Sequence, residues 1–373
     1  MNGIEVIKQK IYDWAIKQNS VNSVNRQLQT NCIDLYNYDK ITPISKVNFK
    51  SEIEFNCYSC NRKIKYSHNI YVYTCTKCGN RFQEYRNLTR DLSDHTILVI
   101  GARTKLGHQI VIKLLESGAT VIGTSRFPKK ALLSYEKYPK WDIWKSKLHF
   151  YPESFDLDTC DLKNEFTKLK IWINCLTPFL TGLIFNAAQT IREKEKNQDI
   201  IKDFQNRYGD LKFVPDEMEN SWGLTIHSIS QKELEEVHRI NAIAPFIAVK
   251  TFLPLLQNSN NTVSYIIDVH AREGIFDTHK SQFHIHTNMA KASLHMFTKC
   301  LKDCKYKTIN CELIRIHGVN PHWFSVDEYY KDKCPWIVPP LDEVDGAARI
   351  LYPLFKELNS CGKTRNHFTN LTY

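Results

Sequence analysis

The stretch from Thr96 to Arg126 predicts a strand, a glycine turn, a helix and a second strand, and it constrains the fold more than any other part of the chain. Ile97–Ile100 is a short apolar run rich in β-branched residues, typical of a strand buried on both faces. Gly101 and Gly107 bracket the turn, and apolar residues then recur at helical spacing. Such a unit presents backbone N–H groups and a helix N-terminus where a pyrophosphate can bind. We therefore expect a dinucleotide-binding turn here.

Downstream of this unit, short apolar runs alternate with helical segments. Further strands are predicted at Leu148–Tyr151, Gly182–Phe185, Val263–Val269 and Thr308–Ile316. An amphipathic stretch from Lys232 to Leu256 and a helix from Asn288 to Lys302 separate the later strands. This alternation predicts an α/β protein with a doubly wound parallel sheet, the Rossmann fold, and helices on both faces of the sheet.

Two pairs of cysteines precede the predicted sheet: Cys57 with Cys60, and Cys75 with Cys78. Each pair has the C-x2-C spacing, and fourteen residues separate the pairs. This spacing lets four thiolates converge on one tetrahedral zinc ion, and a site with four sulfur ligands keeps no open position for catalysis. We therefore predict a small N-terminal zinc ribbon with a structural zinc ion, in which Tyr66–Thr74 forms a hairpin arm. Four unrelated thiols are the alternative.

The motifs divide the chain into an N-terminal helix and linker (residues 1–50), the zinc ribbon (51–92) and the Rossmann domain (93–373). Only four of the twelve cysteines lie in tight pairs, which favours a reducing compartment, so we expect a cytoplasmic protein. No run of 18 apolar residues occurs, so we expect no membrane span.

The chain carries a net charge of +10, which fits an anionic ligand such as a phosphate, a nucleic acid or an acidic partner. A general abundance of lysine explains the charge equally well. The ribbon is rich in Lys, Arg and Tyr, which are also the residues of a nucleic-acid surface. Small modules expose such residues in any case, so nucleic acid is the less favoured partner.

The segment after the second strand indicates which dinucleotide is bound. Folds of this kind that choose NAD place an acidic residue there, whereas an Arg accommodates the 2′-phosphate of NADP. No Asp or Glu occurs between Val121 and Lys130, and Arg126 follows the strand. Arg103, inside the turn, is a second candidate for the same phosphate. We therefore predict NADP(H); surface arginines on loops are the alternative.

The order of these motifs resembles the short-chain dehydrogenase/reductase family from about Asp94 to the C-terminus. The resemblance rests on the glycine turn, on Asn-Ala-Ala at 186–188, on Asn241 in Asn-Ala-Ile-Ala-Pro and on Lys291 in Thr-Asn-Met-Ala-Lys-Ala. The whole chain is also similar to a subgroup of that family. Its members carry the paired C-x2-C ribbon, a GARTKLG turn, the phrase NAAQT, an HTNMAKA helix (His286–Ala292) and a PPLDE segment (Pro339–Glu343).

The resemblance implies a site for NADP(H), with Arg126 at the 2′-phosphate, Asp156 and Leu157 beside the adenine, and Lys291 at the nicotinamide ribose. Asn241 would hold a helix kink and a proton-relay water. The cofactor-binding residues that it implies are Gly101, Arg103, Lys105, Leu106, Gly107, Arg126, Asp156, Leu157, Asn186, Ala187, Ala188, Lys291 and Gly318.

The sequence departs from the family at four positions. Lys105 replaces the middle glycine of the turn, where it either contacts a phosphate or obstructs its approach. Thr287 replaces the tyrosine that protonates the carbonyl oxygen, and the serine position falls at His270 or Ala271. The Pro-Gly that usually follows strand six is reduced to Gly318.

A threonine hydroxyl is a far weaker acid than a phenol, so Thr287 is a poor substitute donor. Histidine, with an ordinary pKa near 6.5, is better matched, and His270 and His286 are the candidates. The candidate catalytic residues are Asn241, His270, His286, Thr287 and Lys291.

We therefore expect an NADP(H)-dependent oxidoreductase that acts on a small carbonyl or alcohol substrate with a non-standard proton donor. The alternative is an inactive or weakly active NADP(H)-binding sensor or scaffold whose ribbon engages a partner. A homo-oligomer is compatible with the resemblance.

Overall fold

The computed structural model describes residues 49–71, 73–159, 161–189, 224–261, 263–278, 280–301, 313–322, 339–358, 363–366 and 368–370. The predicted N-terminal helix and linker therefore lie outside the described residues, except for residues 49 and 50. The described residues form two compact units. The first contains 49–87 and 339–345, and the second contains 88–322 and 346–370, with the gaps given above. The predicted domain limits stay predictions.

The first unit is built from an antiparallel ribbon and one helix. Strand β1 (Phe49–Asn56) pairs with β2 (Lys63–Ser67), and helix α1 (Thr76–Arg86) follows. The hairpin thus lies before the position that the sequence predicted. The predicted arm closes as a short loop on one antiparallel bridge between Ser67 and Cys75. Within it, the His68 ring nitrogen Nδ1 accepts hydrogen bonds from the backbone N–H groups of Ile70 and Tyr71.

A buried ionic cluster stabilises the other side of this unit. The Arg86 guanidinium contacts Asp342 at 2.6 Å and Asp345 at 3.0 Å. The Tyr71 hydroxyl donates to Asp345 at 2.7 Å. Asp342 belongs to the Pro339–Glu343 segment, so one of the two acidic residues of that phrase serves as the partner of a buried arginine.

The second unit contains a sheet of eight strands among the described residues. In chain order they are β3 (Thr96–Ile100), β4 (Thr120–Gly123), β5 (Leu148–Phe150), β6 (Gly182–Phe185), β7 (Val263–Val269), β8 (Leu313–Val319), β9 (Lys363–Asn366) and β10 (Thr369–Asn370). Their order across the sheet is β10-β9-β8-β7-β6-β3-β4-β5. All neighbouring pairs are parallel except β9 with β10. This confirms the doubly wound parallel sheet.

Helices connect these strands. They are α2 (Lys105–Glu116), α3 (Pro128–Tyr135), α4 (Trp141–Trp144), α5 (Leu162–Leu176), α6 (Gln231–His238), α7 (Ala244–Gln257), α8 (Ile285–Leu301) and α9 (Glu343–Phe355). Helices α5 and α7 bury Phe166 and Phe252 against one face of the sheet, within a core that also contains Leu98 and Ile266. Burying side chains of this size supplies the main driving force for the layered fold.

Helices α6 and α7 are joined by a π-helical turn (Arg239–Ile243), and together they form one helix of 27 residues, Gln231–Gln257. Among the described residues, this is the helix long and apolar enough to cross a membrane by length and composition. Half of its apolar window is buried inside the structure.

Candidate functional site

The glycine turn after β3 has the backbone geometry of a phosphate-binding loop. Gly101 adopts φ +86°, and a Cβ there would lie 2.9 Å from the backbone of Ala187. A Cβ at Gly107 would lie 1.9 Å from the Gly101 carbonyl oxygen. Both positions therefore require glycine. Helix α2 begins within this turn, and a helix N-terminus is a favourable place for an anion.

The residues after β6 hold this turn in place. The Asn186 side-chain amide donates to the Gly101 carbonyl at 2.8 Å. The backbone N–H groups of Asn186 and Ala187 both donate to the Ile100 carbonyl, at 3.1 and 2.9 Å. The structure thus brings the Asn-Ala-Ala motif and the glycine turn together; the exposed Ala188 follows directly.

Lys105 occupies the position of the missing glycine and adopts φ +49°. The backbone at this position is therefore glycine-like, although the residue is not, and such a conformation is unusual for lysine. The Lys105 side chain is exposed, whereas the next residue, Leu106, is buried. The turn keeps its shape and gains a solvent-facing ammonium group.

Three cations surround the ring of Phe127 beyond β4. The Arg103 and Arg126 guanidinium carbons lie 4.9 and 5.7 Å from the ring centroid, and the Lys130 ammonium lies 5.6 Å from it. The sequence identified the two arginines but not Phe127 or Lys130, although the run Pro-Lys-Lys at 128–130 was a signal. This cationic cluster can take a phosphate group.

The segment proposed for the adenine lies beside the end of β4. The Phe155 N–H donates to the Ser125 carbonyl at 3.0 Å, which brings the following residues, Asp156 and Leu157, to this edge. The Asp156 carboxylate accepts from the backbone N–H of Asp158 at 3.1 Å, and Leu157 is buried. The predicted adenine residues therefore share one end of the sheet with the glycine turn.

Asn241 lies in the π-helical turn and is buried. Its amide oxygen accepts from the Gln189 N–H at 2.8 Å, and its amide nitrogen donates to the Gln189 carbonyl at 2.7 Å. Single π-turns inside longer helices occur frequently at functional sites. The structure therefore ties the irregular helix turn directly to the segment that follows Asn186–Ala188.

Lys291 and Thr287 lie one turn apart on the buried face of α8. The Lys291 ammonium donates to the Val269 carbonyl at 3.2 Å. Burial lowers the pKa of Lys291 to about 8, while the carboxylates of Glu273 and Asp268 oppose that shift. The Thr287 hydroxyl is buried and has no hydrogen-bond partner among the described residues.

His270 faces the interior of the protein. Its Nε2 lies 2.9 Å from the Thr298 hydroxyl, and its ring centroid lies 4.0 Å from that of His295. Only 1% of the residue is exposed, and burial, together with His295 and Lys291, holds the pKa of His270 well below its ordinary value. The neighbouring Ala271, the other residue at the serine position, has no side-chain acid.

Gly318 lies inside β8, opposite Asp268, and not in the loop after the strand. A Cβ at this position would lie 2.2 Å from the His270 ring, so the glycine makes room for that imidazole. The residue past the strand that takes a left-handed conformation is His322, with φ +66°. The cofactor-binding role expected of Gly318 stays a prediction.

His286, the second candidate donor, is also buried, with 1% exposed. Its Nε2 lies 3.2 Å from the Glu233 carboxylate on α6. Its Nδ1 has no partner among the residues that the structure describes. The structure thus places His270 beside Thr298 and His286 beside Glu233, both in the protein interior. The catalytic role of each histidine stays a prediction.

In the first unit, the four paired cysteines come together. The ligand atoms of Cys57, Cys60, Cys75 and Cys78 all lie within 4.8 Å of one another, and Cys60 Sγ lies 3.9 Å from Cys75 Sγ. A tetrahedral zinc ion about 2.3 Å from each sulfur would need sulfur separations of about 3.8 Å. The donor set and its geometry therefore fit zinc.

The second cysteine pair lies at the start of α1. Gly79 lies within that helix, and a Cβ there would lie 2.2 Å from the His68 ring. The glycine is therefore required for close packing of the helix on the His68 loop. The backbone N–H of Cys75 also donates to Cys57 Sγ at 3.3 Å, which links the two pairs.

Comparison with solved structures identifies the class of fold. The chain is similar to the carbonyl reductase Sniffer of Drosophila melanogaster, with a TM-score of 0.55 and 20% identity over 75% of this chain and 99% of that one. It is also similar to a short-chain dehydrogenase of Shigella flexneri solved with NADP, with a TM-score of 0.54 and 18% identity over 75% and 99% of the two chains. The fold is therefore that of the short-chain dehydrogenases/reductases.

No protein-family model matches the sequence. The chain is 35% identical over 378 residues to an uncharacterised protein, R665 of Acanthamoeba polyphaga mimivirus. The matched region covers 89% of this chain and 79% of R665. The chain belongs to the same family as R665.

Proposed function

We propose that the chain is an NADP(H)-dependent oxidoreductase of the short-chain dehydrogenase/reductase type that acts on a carbonyl or alcohol substrate. The observation that carries this proposal is the glycine turn, locked by the Asn186 amide and followed by three cations around Phe127. A Cβ at Gly107 would collide with the Gly101 carbonyl oxygen, so the tight turn depends on glycine. A tight turn of this kind at a helix N-terminus fits a pyrophosphate. The NADP complex of the Shigella relative supports the same assignment.

The residues at one end of the site would then bind the phosphates of the cofactor, and Lys291 would act at the other end, beside the nicotinamide. Arg103, Arg126 and Lys130 bind the 2′-phosphate, and the α2 N-terminus faces the pyrophosphate. The bound cofactor would supply or accept the hydride. Lys291 orients the nicotinamide ribose and carries a proton at Nζ.

The proton donor is non-standard. Both histidines are buried in other contacts, whereas Lys291 has a pKa near 8 and lies on the same helix face as Thr287. A general acid works best when its pKa lies near the working pH. We therefore place the donated proton on Lys291 Nζ.

The test is single-turnover oxidation of bound NADPH against a panel of aldehydes and ketones, followed by loss of NADPH absorbance. We expect turnover by the wild type, slower but measurable turnover by His270→Gln, and none by Lys291→Met. Absence of turnover with every carbonyl would reject the oxidoreductase. The burial of both histidines would then favour the second candidate, an NADP(H)-binding sensor or scaffold.

We also propose that the cysteine cluster holds one structural zinc ion and that any partner-binding role of the ribbon depends on it. Metal analysis of the purified chain should return about one zinc per chain. Cys75→Ser with Cys78→Ser should lose the metal, whereas Cys175→Ser, an exposed cysteine outside the cluster, should retain it. A wild-type content far below one zinc would reject the site.

We propose that the exposed apolar surface of α7 and α8 binds a second copy of this chain. Phe246, Met289 and Met296 are exposed there, and the Phe246 ring lies 5.6 Å from the Phe297 ring, which makes the patch continuous across the two helices. Sedimentation should show an oligomer that Phe246→Glu dissociates. Ile171→Glu, at an exposed apolar residue on α5, is the control. A wild-type monomer would reject this assembly.

A further inference from the structure

Three side chains form a hydrogen-bonded row behind the carboxyl end of β7. The Thr298 hydroxyl donates to Asp268 Oδ2 at 3.1 Å. The same hydroxyl lies 2.9 Å from His270 Nε2. All three residues are buried, and Asp268 Oδ1 has no partner among the described residues. A carboxyl, a hydroxyl and an imidazole thus stand in sequence, shielded from solvent.

The direction of these hydrogen bonds depends on the charge of Asp268. When Asp268 is ionised, the Thr298 hydroxyl donates to it, and His270 must donate its Nε2 proton to the hydroxyl oxygen. When Asp268 is protonated at Oδ2, the carboxyl donates to Thr298 and the hydroxyl donates to a bare Nε2. His270 then carries its proton on Nδ1. A proton on Oδ1 would be a buried donor without an acceptor, which disfavours that third arrangement.

Lys291 is the cation that interacts electrostatically with Asp268 in this row. It precedes Thr298 by seven residues on α8, which places both on one helix face, and it donates to the Val269 carbonyl between Asp268 and His270. Burial raises the pKa of Asp268 to about 7, and the Thr298 hydroxyl and Lys291 oppose that shift. Because Lys291 has a pKa near 8, the two groups change charge in adjacent pH ranges.

The other groups near the row come from α8 and from the segment between β7 and α8. His295, on α8, packs against the His270 ring, and burial lowers the pKa of His295 to about 4, so it stays neutral. Glu273, in the short turn after β7, acts on Lys291, and Lys280 acts on His295. Apart from Lys291, the described charged groups act on the neighbours of the row and not on Asp268 itself.

We propose that Asp268, Thr298 and His270 form a buried proton-exchange array that holds Lys291 in its ammonium form through neutral pH. Ionisation of Asp268 places a negative charge behind the strand and so opposes deprotonation of Lys291. The three are positioning residues, since they act through Lys291. The use of that ammonium as a proton donor rests on the proposed function, whereas the array does not.

The test is ¹⁵N NMR of the histidine side chains of the full chain, without cofactor, from pH 5 to pH 9. Protonated and bare ring nitrogens have well-separated shifts, and His270→Gln assigns the His270 signals. We expect the His270 proton to move from Nδ1 to Nε2 as the pH rises, with a midpoint near the pKa of Asp268. A single tautomer across the whole range in the wild type would overturn the proposal, whatever the variants do.

Variants identify the members of the array. Asp268→Asn and Thr298→Val should abolish the tautomer change, and Thr298→Ser should retain it because it keeps the hydroxyl. Ser293→Ala, on the exposed face of α8, should leave it unaltered. A change that persists in a folded Asp268→Asn protein would exclude Asp268 as the source.

Competitive labelling of amines, read by mass spectrometry of the Lys291 peptide, tests the link to Lys291. The labelling midpoint should lie near pH 8 in the wild type and should move to lower pH in Asp268→Asn. An unchanged midpoint would overturn that link. Neither experiment uses NADPH or substrate, so a failure of the proposed function, seen as absent NADPH binding, is distinguishable from a failure of the array.

Discussion

The glycine turn and the start of helix α8 belong to the same compact unit, but they differ in how closely they follow the family that the sequence resembles. At the turn, glycine is required by backbone contacts under 3 Å, and Lys105 keeps a left-handed backbone in place of the missing glycine. At α8, the tyrosine position holds a buried Thr287, and the nearby histidines face inward. The glycine turn thus has the backbone geometry of a phosphate-binding loop, whereas α8 carries Thr287 where the resemblance implies a tyrosine.

The largest expected effect comes from Gly107→Ala. The new Cβ would lie 1.9 Å from the Gly101 carbonyl oxygen, so the turn must open. NADPH affinity should fall by more than about 100-fold, which corresponds to about 2.7 kcal/mol. Isothermal titration calorimetry measures it.

Gly118→Ala is the matched control, because Gly118 shares φ +86° with Gly101 but has its nearest contact at 3.5 Å. It should cost about 1–2 kcal/mol of unfolding free energy and leave NADPH affinity unaltered. Equal losses of affinity in both variants would show that the turn is not a special site.

The second effect concerns the cations around Phe127. Arg103→Ala and Arg126→Ala should each weaken NADPH by about 10- to 100-fold, because each loses a charge-assisted hydrogen bond. NADH, which lacks the 2′-phosphate, should be affected much less. Equal loss for both dinucleotides would place the arginines elsewhere on the cofactor.

The third effect tests whether the buried contact between His286 and Glu233 is structural or catalytic. His286→Gln and Glu233→Ala each remove one partner of the 3.2 Å contact between α6 and α8. They should lower the free energy of unfolding by about 1–3 kcal/mol, with little change in the rate of hydride transfer. A selective loss of rate in His286→Gln, with stability retained, would restore His286 as the donor.

The smallest effect is a pH dependence of stability. Since Asp268 has a folded-state pKa of about 7, above its unfolded value of 3.8, its contribution to stability is present below pH 3.8 and is lost as the pH rises through 7. Asp268→Asn should therefore match the wild type more closely at pH 5 than at pH 8, where it should be the more stable protein. Urea unfolding at the two pH values measures this; a variant less stable than the wild type at pH 8 would contradict it.

The sequence predicted the sheet and the turn because both depend on local patterns. The runs Ile97–Ile100 and Val263–Val269 and the glycine spacing each determine an element by themselves. The four cysteines were predictable for the same reason, since ligand spacing is a short-range property.

Side-chain direction was not predictable in this way. Alternation along β7 sends His270 into the interior beside Thr298, a residue 28 positions away that no motif marked. The position of Gly318 inside β8 depends on strand register, which a single sequence does not reveal. The loop after β2 in the first unit likewise depends on the His68 ring, which accepts hydrogen bonds from the backbone N–H groups of Ile70 and Tyr71.

The most direct test of the central proposal, that the site at the glycine turn binds NADP(H), is a fluorescence titration of the full chain with NADPH and with NADH at low salt. We predict saturable NADPH binding at micromolar concentration or below, with NADH weaker by about 10-fold or more. Absence of binding by either dinucleotide would contradict the claim.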